Sequence, residues 1–170
     1  SVAAAVEVCL LEACLPENAV EVLNTAALTG RMQVLPLAQG SLLLDVAHNP
    51  ASAELLACEL KLRHFGQSKA GLPAAVVAMM ADKDLHKVLL PLLKLVRHWY
   101  CADLAGNERA ANAQDIARVL MDLGVPDSAI TCTGSVGSAV PDWQLEADYD
   151  NHLLVFGSFF TVAAALEQYA

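Results

Sequence analysis

The sequence predicts an α/β domain: one open, mostly parallel sheet of about six strands with about five helices spread over both faces. Three observations carry that reading. Strand-like and helix-like segments alternate from residue 32 to residue 170. Several strand-like segments, Leu42-Leu43-Leu44 and Ala74 to Met79 among them, are apolar without alternation, as strands covered on both faces are. The chain of 170 residues is 56% apolar and 17% charged, which excludes disorder and suits one sizeable core.

Residues 1 to 28 read as two short helices. Ala3, Val6, Leu10 and Leu11 follow helical spacing until Leu15-Pro16, and Asn18 can cap a second helix carrying Val22, Leu23 and Ala26. Two such helices cannot make a core alone and are expected to pack loosely. Thr29-Gly30-Arg31 marks a boundary, dividing residues 1–30 from a main domain of residues 31–170. Met32 to Leu37 reads as a first strand, with Pro36 favouring an edge. Gln39-Gly40 turns the chain into Leu42-Leu43-Leu44-Asp45-Val46-Ala47-His48-Asn49-Pro50, the stretch that organises the rest. Asn49 can cap the next helix and Pro50 suits its first position. That helix, near residues 50–64, turns Ala53, Leu56, Ala57 and Leu60 to one side and pairs Glu59 with Arg63.

The alternation then repeats. Gly66 to Gly71 is a polar loop, and Ala74 to Met79 a buried strand. Asp82 or Asp84 caps a helix carrying Leu85, Val88, Leu89 and Leu92, which Pro91 should kink or end early. Leu95 to Cys101 is the next strand. Asn112 starts a helix with Ile116, Val119, Leu120 and Leu123, and Gly124 stops it. Ala129 to Cys132 is a short strand, and Ser135 to Ala147 a weaker helix with Trp143 inward and Pro141 a blemish. His152 to Phe156 is the last strand, and Ser158 to Tyr169 the closing helix.

Charge and cysteine content narrow the function. The net charge is -9 and no Lys or Arg follows Arg118, so a basic nucleic-acid footprint is absent. No apolar run is long enough for a membrane span, and Ser1-Val2-Ala3-Ala4-Ala5 lacks the basic start of a signal peptide. The missing initiator Met points to a piece of a longer protein. The five cysteines, Cys9, Cys14, Cys58, Cys101 and Cys132, are odd in number and include no Cys-x-x-Cys, which favours reduced thiols and a cytoplasmic location.

The organising stretch resembles the LDVAHNP signature that opens the C-terminal domain of folylpolyglutamate synthases and dihydrofolate synthases, ATP-dependent ligases of the Mur ligase superfamily. Gly30-Arg31-Met32-Gln33, Met80-Ala81-Asp82-Lys83-Asp84, Trp99-Tyr100-Cys101-Ala102 and Val155-Phe156-Gly157-Ser158-Phe159 continue the likeness in family order. The resemblance implies a Rossmann-like Mur ligase C-terminal domain, with residues 1–30 as the remnant of a central ATPase domain plus linker. It implies a parent enzyme that activates the carboxylate of dihydropteroate or a folate with ATP and joins it to the amine of L-glutamate. Mg2+ would be bound mainly by the central and N-terminal domains of the same parent chain. This chain has no Gly-x-x-x-x-Gly-Lys loop of its own and no Gly-x-Gly-x-x-Gly, so alone it is expected to be inactive.

Five residues are candidates for chemistry. Asp45, at a strand end, can accept from ribose hydroxyls, as the family's matching aspartate does with ATP; otherwise it is a turn aspartate. Arg31 offers a planar fork of donors to phosphate, and the family's matching arginine contacts ATP; otherwise it is an exposed linker charge. His48 can orient an anion or carry a proton, and its family counterpart lies near the incoming amino acid; otherwise it is a hydrogen-bonded helix-start residue. Ser158 can meet a carboxylate or serve as an N-cap. Lys83 can reach a phosphate or a carboxylate, or remain solvated. Asp45, His48, Asp82, His86 and His98 share no metal-ligand spacing, so no metal site is expected from this chain. Two other readings stay open: a Mur-type ligase of cell-wall peptide or cyanophycin synthesis, and a stand-alone binding module.

Overall fold

The computed structural model describes residues 29–62, 74–145 and 152–170. The helices expected in residues 1–28, the polar loop at Gly66 to Gly71 and the Glu59–Arg63 pair fall wholly or partly outside that set.

Six strands form one sheet among the described residues. They are β1 (Gln33–Pro36), β2 (Ser41–Asp45), β3 (Ala74–Val77), β4 (His98–Ala102), β5 (Ile130–Thr133) and β6 (His152–Phe156). Their order is β1-β2-β6-β3-β4-β5. Only β1 runs antiparallel, folded back on β2 through a turn closed by Leu37 N–H to the Gly40 carbonyl at 3.1 Å. The other neighbours are parallel, so the expected sheet is present. Five helices join them: α1 (Pro50–Leu62), α2 (Leu85–Leu89), α3 (Ala113–Asp122), α4 (Val136–Gln144) and α5 (Phe159–Tyr169).

Apolar residues on both faces of the inner strands make two cores. Leu43, Ala75, Val77, Trp99, Cys101, Leu154 and Phe156 face α1, α2 and α3. Leu42, Leu44, Val76, Tyr100, Leu153 and Val155 face α4 and α5. Successive residues of β2 thus alternate between the two cores, which is why its run of leucines needs no polar partner residues. Pro36 sits on the edge strand, where its missing N–H costs no interior pairing.

The helix ends follow the capping chemistry. Asp84, rather than Asp82, accepts the Lys87 N–H at 3.1 Å to start α2. Pro91 ends that helix early, and Leu90–Leu92 continue as a single tighter turn. The chain keeps turning to Leu95, whose N–H bonds the Leu92 carbonyl at 2.9 Å, so β4 begins at His98 rather than at Leu95. Asn112 caps α3 through the Asp115 N–H at 2.8 Å, and Gly124 follows that helix with φ +90°.

Candidate functional site at the carboxyl end of the sheet

Strand β6 lies between β2 and β3, yet it feeds α5 on one face while β2 and β3 feed helices on the other. Connections that diverge in this way leave a crevice at the carboxyl ends of the strands, where open α/β sheets take ligands. The residues around it come from the linker before β1, from Asp45 to Asn49, and from Gly157 to Phe160.

Asp45 ends β2 and is 5% exposed. One carboxylate oxygen accepts the Met32 N–H at 3.0 Å and the other accepts the Ala47 N–H at 2.8 Å. Burial raises its pKa above the ordinary carboxylate value; those two amides and the Arg31 guanidinium pull against the rise, and Glu59 adds to it. The aspartate is therefore a structural tie between β2 and the linker, whatever else it does.

The linker itself is seated on the domain. The Gly30 carbonyl accepts the Val46 N–H at 2.8 Å, and the Gly30 N–H donates to Gln33 Oε1 at 2.9 Å. Gly30 has φ +71°, and a Cβ there would lie 2.8 Å from Val46 Cγ1 and 3.2 Å from Val162 Cγ1. Met32 also takes a left-handed conformation, with φ +45°. Arg31, between them, is exposed.

His48 is half-buried, and its Nδ1 lies 2.8 Å from the Val46 carbonyl. A carbonyl only accepts, so Nδ1 carries the proton, and in the neutral ring Nε2 is the acceptor. The ring stands 6.2 Å, centroid to centroid, from that of Phe159. Asn49 caps α1 as expected, taking the Ser52 N–H on Oδ1 at 2.9 Å.

Ser158 is 4% exposed and caps α5, accepting the Thr161 N–H at 3.0 Å. The Thr161 hydroxyl donates to the Ala78 carbonyl at 2.6 Å, so the Ser158 proton goes to Thr161 Oγ1, also at 2.6 Å. Its hydroxyl is thus committed to the N-cap in this geometry. Lys83 lies past β3, on the far side of β6, with Nζ 3.2 Å from Asp82 Oδ2. That contact holds the Asp82 carboxyl below its ordinary range. Arg31, Asp45 and His48 lie on the linker and at the carboxyl end of β2, whereas Lys83 follows β3, beyond β6. Among the described residues, no three His, Cys, Asp or Glu side chains converge as metal ligands.

Sequence reasoning gave no role to Phe159 and Phe160, which are 63% and 58% exposed on this rim. Their signal was present: they fall outside the Thr161, Val162, Ala165 spacing that α5 buries.

Comparison with known proteins agrees with this geometry. Residues 30–159 match the family model described as Mur ligase, glutamate ligase domain. The chain is 36% identical over 152 residues to the dihydrofolate synthase/folylpolyglutamate synthase of Escherichia coli strain K12, covering 89% of this chain and 33% of that protein. The Haemophilus influenzae enzyme of the same name is 32% identical over 123 residues, covering 72% of this chain and 27% of the enzyme. Among solved structures, Escherichia coli FolC in complex with DHPP and ADP superposes with a TM-score of 0.73 at 34% identity, covering 89% of this chain and 34% of that one. The bifunctional synthase of Yersinia pestis complexed with AMPPNP and Mn ion gives 0.72 at 35% identity, covering 89% and 34%. The chain thus spans about a third of the length of the curated relatives it matches first. With a family model covering most of its length and this sheet beneath it, the chain belongs to the Mur ligase family, as a glutamate ligase domain.

Proposed function

We propose that the chain is the C-terminal domain of an ATP-dependent carboxylate–amine ligase that joins L-glutamate to dihydropteroate or to a folate. The observation that carries this reading is the Arg31–Asp45–His48 constellation at the crevice beside β6, in a chain whose solved relatives were crystallised with ADP, AMPPNP and, in one case, L-glutamate. The exposed Arg31 supplies a guanidinium to phosphate oxygens. Asp45 has one position on each oxygen taken by the main chain; the remaining lone pairs accept from the ribose. His48, protonated on Nδ1, offers Nε2 to the incoming amino acid, as an acceptor when neutral and as a donor to its carboxylate when charged.

ATP supplies the driving force for amide formation, and this domain's part is to complete a site whose phosphate loop and magnesium lie in other domains of the parent chain. Closure of this domain over the nucleotide excludes water from the reacting groups, as mobile domains commonly do. Among the described residues no helix is long and apolar enough to cross a membrane. Folate chemistry is preferred over cell-wall peptide or cyanophycin ligation because the curated relatives that the chain resembles carry folate-synthase names. The test is incorporation of labelled L-glutamate by the intact parent enzyme, offered dihydropteroate, tetrahydrofolate or a muramyl peptide with ATP. Ligation to a pteridine substrate is expected; ligation to the muramyl peptide alone would refute the folate assignment. The isolated chain is expected to ligate nothing.

A further inference from the structure

The linker Gly30-Arg31-Met32 is bound to this domain at more points than a swivel needs. Gly30 is held through its carbonyl by Val46 and through its N–H by Gln33, and Met32 is held through its N–H by the buried Asp45. The same Asp45 side chain fixes Ala47, two residues past the strand end. Gly30 also lies so close to Val46 and Val162 that no side chain fits. The Met32 side chain packs against the core that faces α1, α2 and α3. A residue between two such anchors has little freedom of its own.

We propose that Asp45 is a positioning residue for Arg31: together with the Gly30–Val46 bond it locks residues 30–32 to the end of β2, so that Arg31 travels as a rigid part of this domain. The pivot between the domains then falls before Gly30. Domain closure then carries the Arg31 backbone to the nucleotide at a fixed place, and only the rotamers of its side chain remain to be searched, without a separate search by a flexible linker. This role rests on the reading of Arg31 as a phosphate contact, and it is additional to any contact that Asp45 makes with ribose.

Two measurements test it. In the 170-residue chain, amide exchange should be slow at Met32 and Val46, and Asp45→Ala should speed exchange at Met32, because both acceptor oxygens are then gone. Fast exchange at both sites in the unaltered chain would overturn the lock. In the intact enzyme, Gly30→Ala, which leaves the carboxylate untouched, should raise the KM for ATP and lower kcat as Arg31→Ala does. The double variant should be no worse than Arg31→Ala alone, within about twofold, because Gly30 acts through Arg31. Effects that multiply, or ATP kinetics unchanged by Gly30→Ala, would refute positioning. Should Gly30→Ala fail to fold, Gln33→Ala removes one latch from an edge strand and is read in the same cycle. An Arg31→Ala enzyme with normal ATP kinetics would instead refute the phosphate contact, while amide exchange still decides the lock.

Discussion

The Tyr169 hydroxyl donates to the Gly137 carbonyl at 2.8 Å, the acceptor that Pro141 leaves unserved inside α4. In a regular helix the residue four places on supplies the N–H, and proline has none. The blemish read in the sequence at Pro141 is therefore compensated from α5. Tyr169→Phe should cost about 1 kcal/mol, the net worth of such a bond. In a Pro141→Ala background the N–H returns and the same change should cost less. Urea unfolding of the four variants measures this; equal costs in both backgrounds would separate Tyr169 from Pro141.

Gly157 makes a second tight approach, between β6 and β3. Its φ is +122°, and an added Cβ would collide with the Ala78 carbonyl. That carbonyl is also the acceptor for Thr161. Gly157→Ala combines backbone strain with overpacking, each worth about 1–3 kcal/mol. A loss on the order of 3 kcal/mol is expected in thermal or urea unfolding. A melt within a degree of the unaltered chain would show that the two strand ends have room to part.

Much of the fold was legible because its signals are local. Leucines on both parities at Leu42-Leu43-Leu44 mean a strand with two cores, and Asn49-Pro50, Asn112 and Ser158 are caps whose bonds form within four residues. The place of β6 between β2 and β3 was not legible, since pairs as distant in sequence as Ser41 with His152 and Ala74 with Leu153 leave no short-range trace. The site divides the same way. Arg31, Asp45 and His48 were singled out from sequence as candidates, but the burial of Asp45 depends on the linker folding back on it. Ser158 was left open between ligand and cap, and its commitment to the cap depends on Thr161 reaching across to Ala78.

The burial of Asp45 sets a pH dependence with a definite sign. Its folded pKa lies above the ordinary carboxylate value, chiefly through desolvation, so the native state holds the proton more tightly than the unfolded chain. The contribution to stability is full below about 3.8 and declines as pH rises toward the folded value. Asp45→Asn removes this titration. The stability of the unaltered chain relative to Asp45→Asn should therefore fall as pH climbs from the ordinary carboxylate value upward, in paired urea melts at several pH values. A difference that is flat, or that grows with pH over that interval, would mean that the two amides and Arg31 outweigh desolvation.

Arg31→Ala and Asp45→Ala separate nucleotide binding from architecture. A strand-end carboxylate and a linker arginine read, from the sequence, as residues whose removal leaves the chain folded. For Arg31, which is exposed, that expectation stands. For Asp45 folding comes with a stability cost: removing the carboxylate strands the Met32 and Ala47 N–H groups, at about 1–3 kcal/mol for each group left unsatisfied. A raised KM for ATP in Asp45→Ala is therefore ambiguous by itself, and the substrate must carry the test. If Asp45 accepts from the ribose, 2′-deoxy-ATP should be a poorer substrate than ATP for the intact enzyme. The penalty should be on the order of 10-fold in kcat/KM, because a hydrogen bond to a charged group is worth about 1.5–3 kcal/mol. In Asp45→Ala that penalty should shrink toward unity, since the partner of the missing hydroxyl is gone. Arg31→Ala should keep it, while lowering turnover with both nucleotides because charge redistributes on the phosphates it meets. Steady-state kinetics with both nucleotides, run well below the melting temperature of each variant, gives the ratios. An equal deoxy penalty with and without Asp45 would remove the ribose from its role and leave the tie between linker and strand as its whole function.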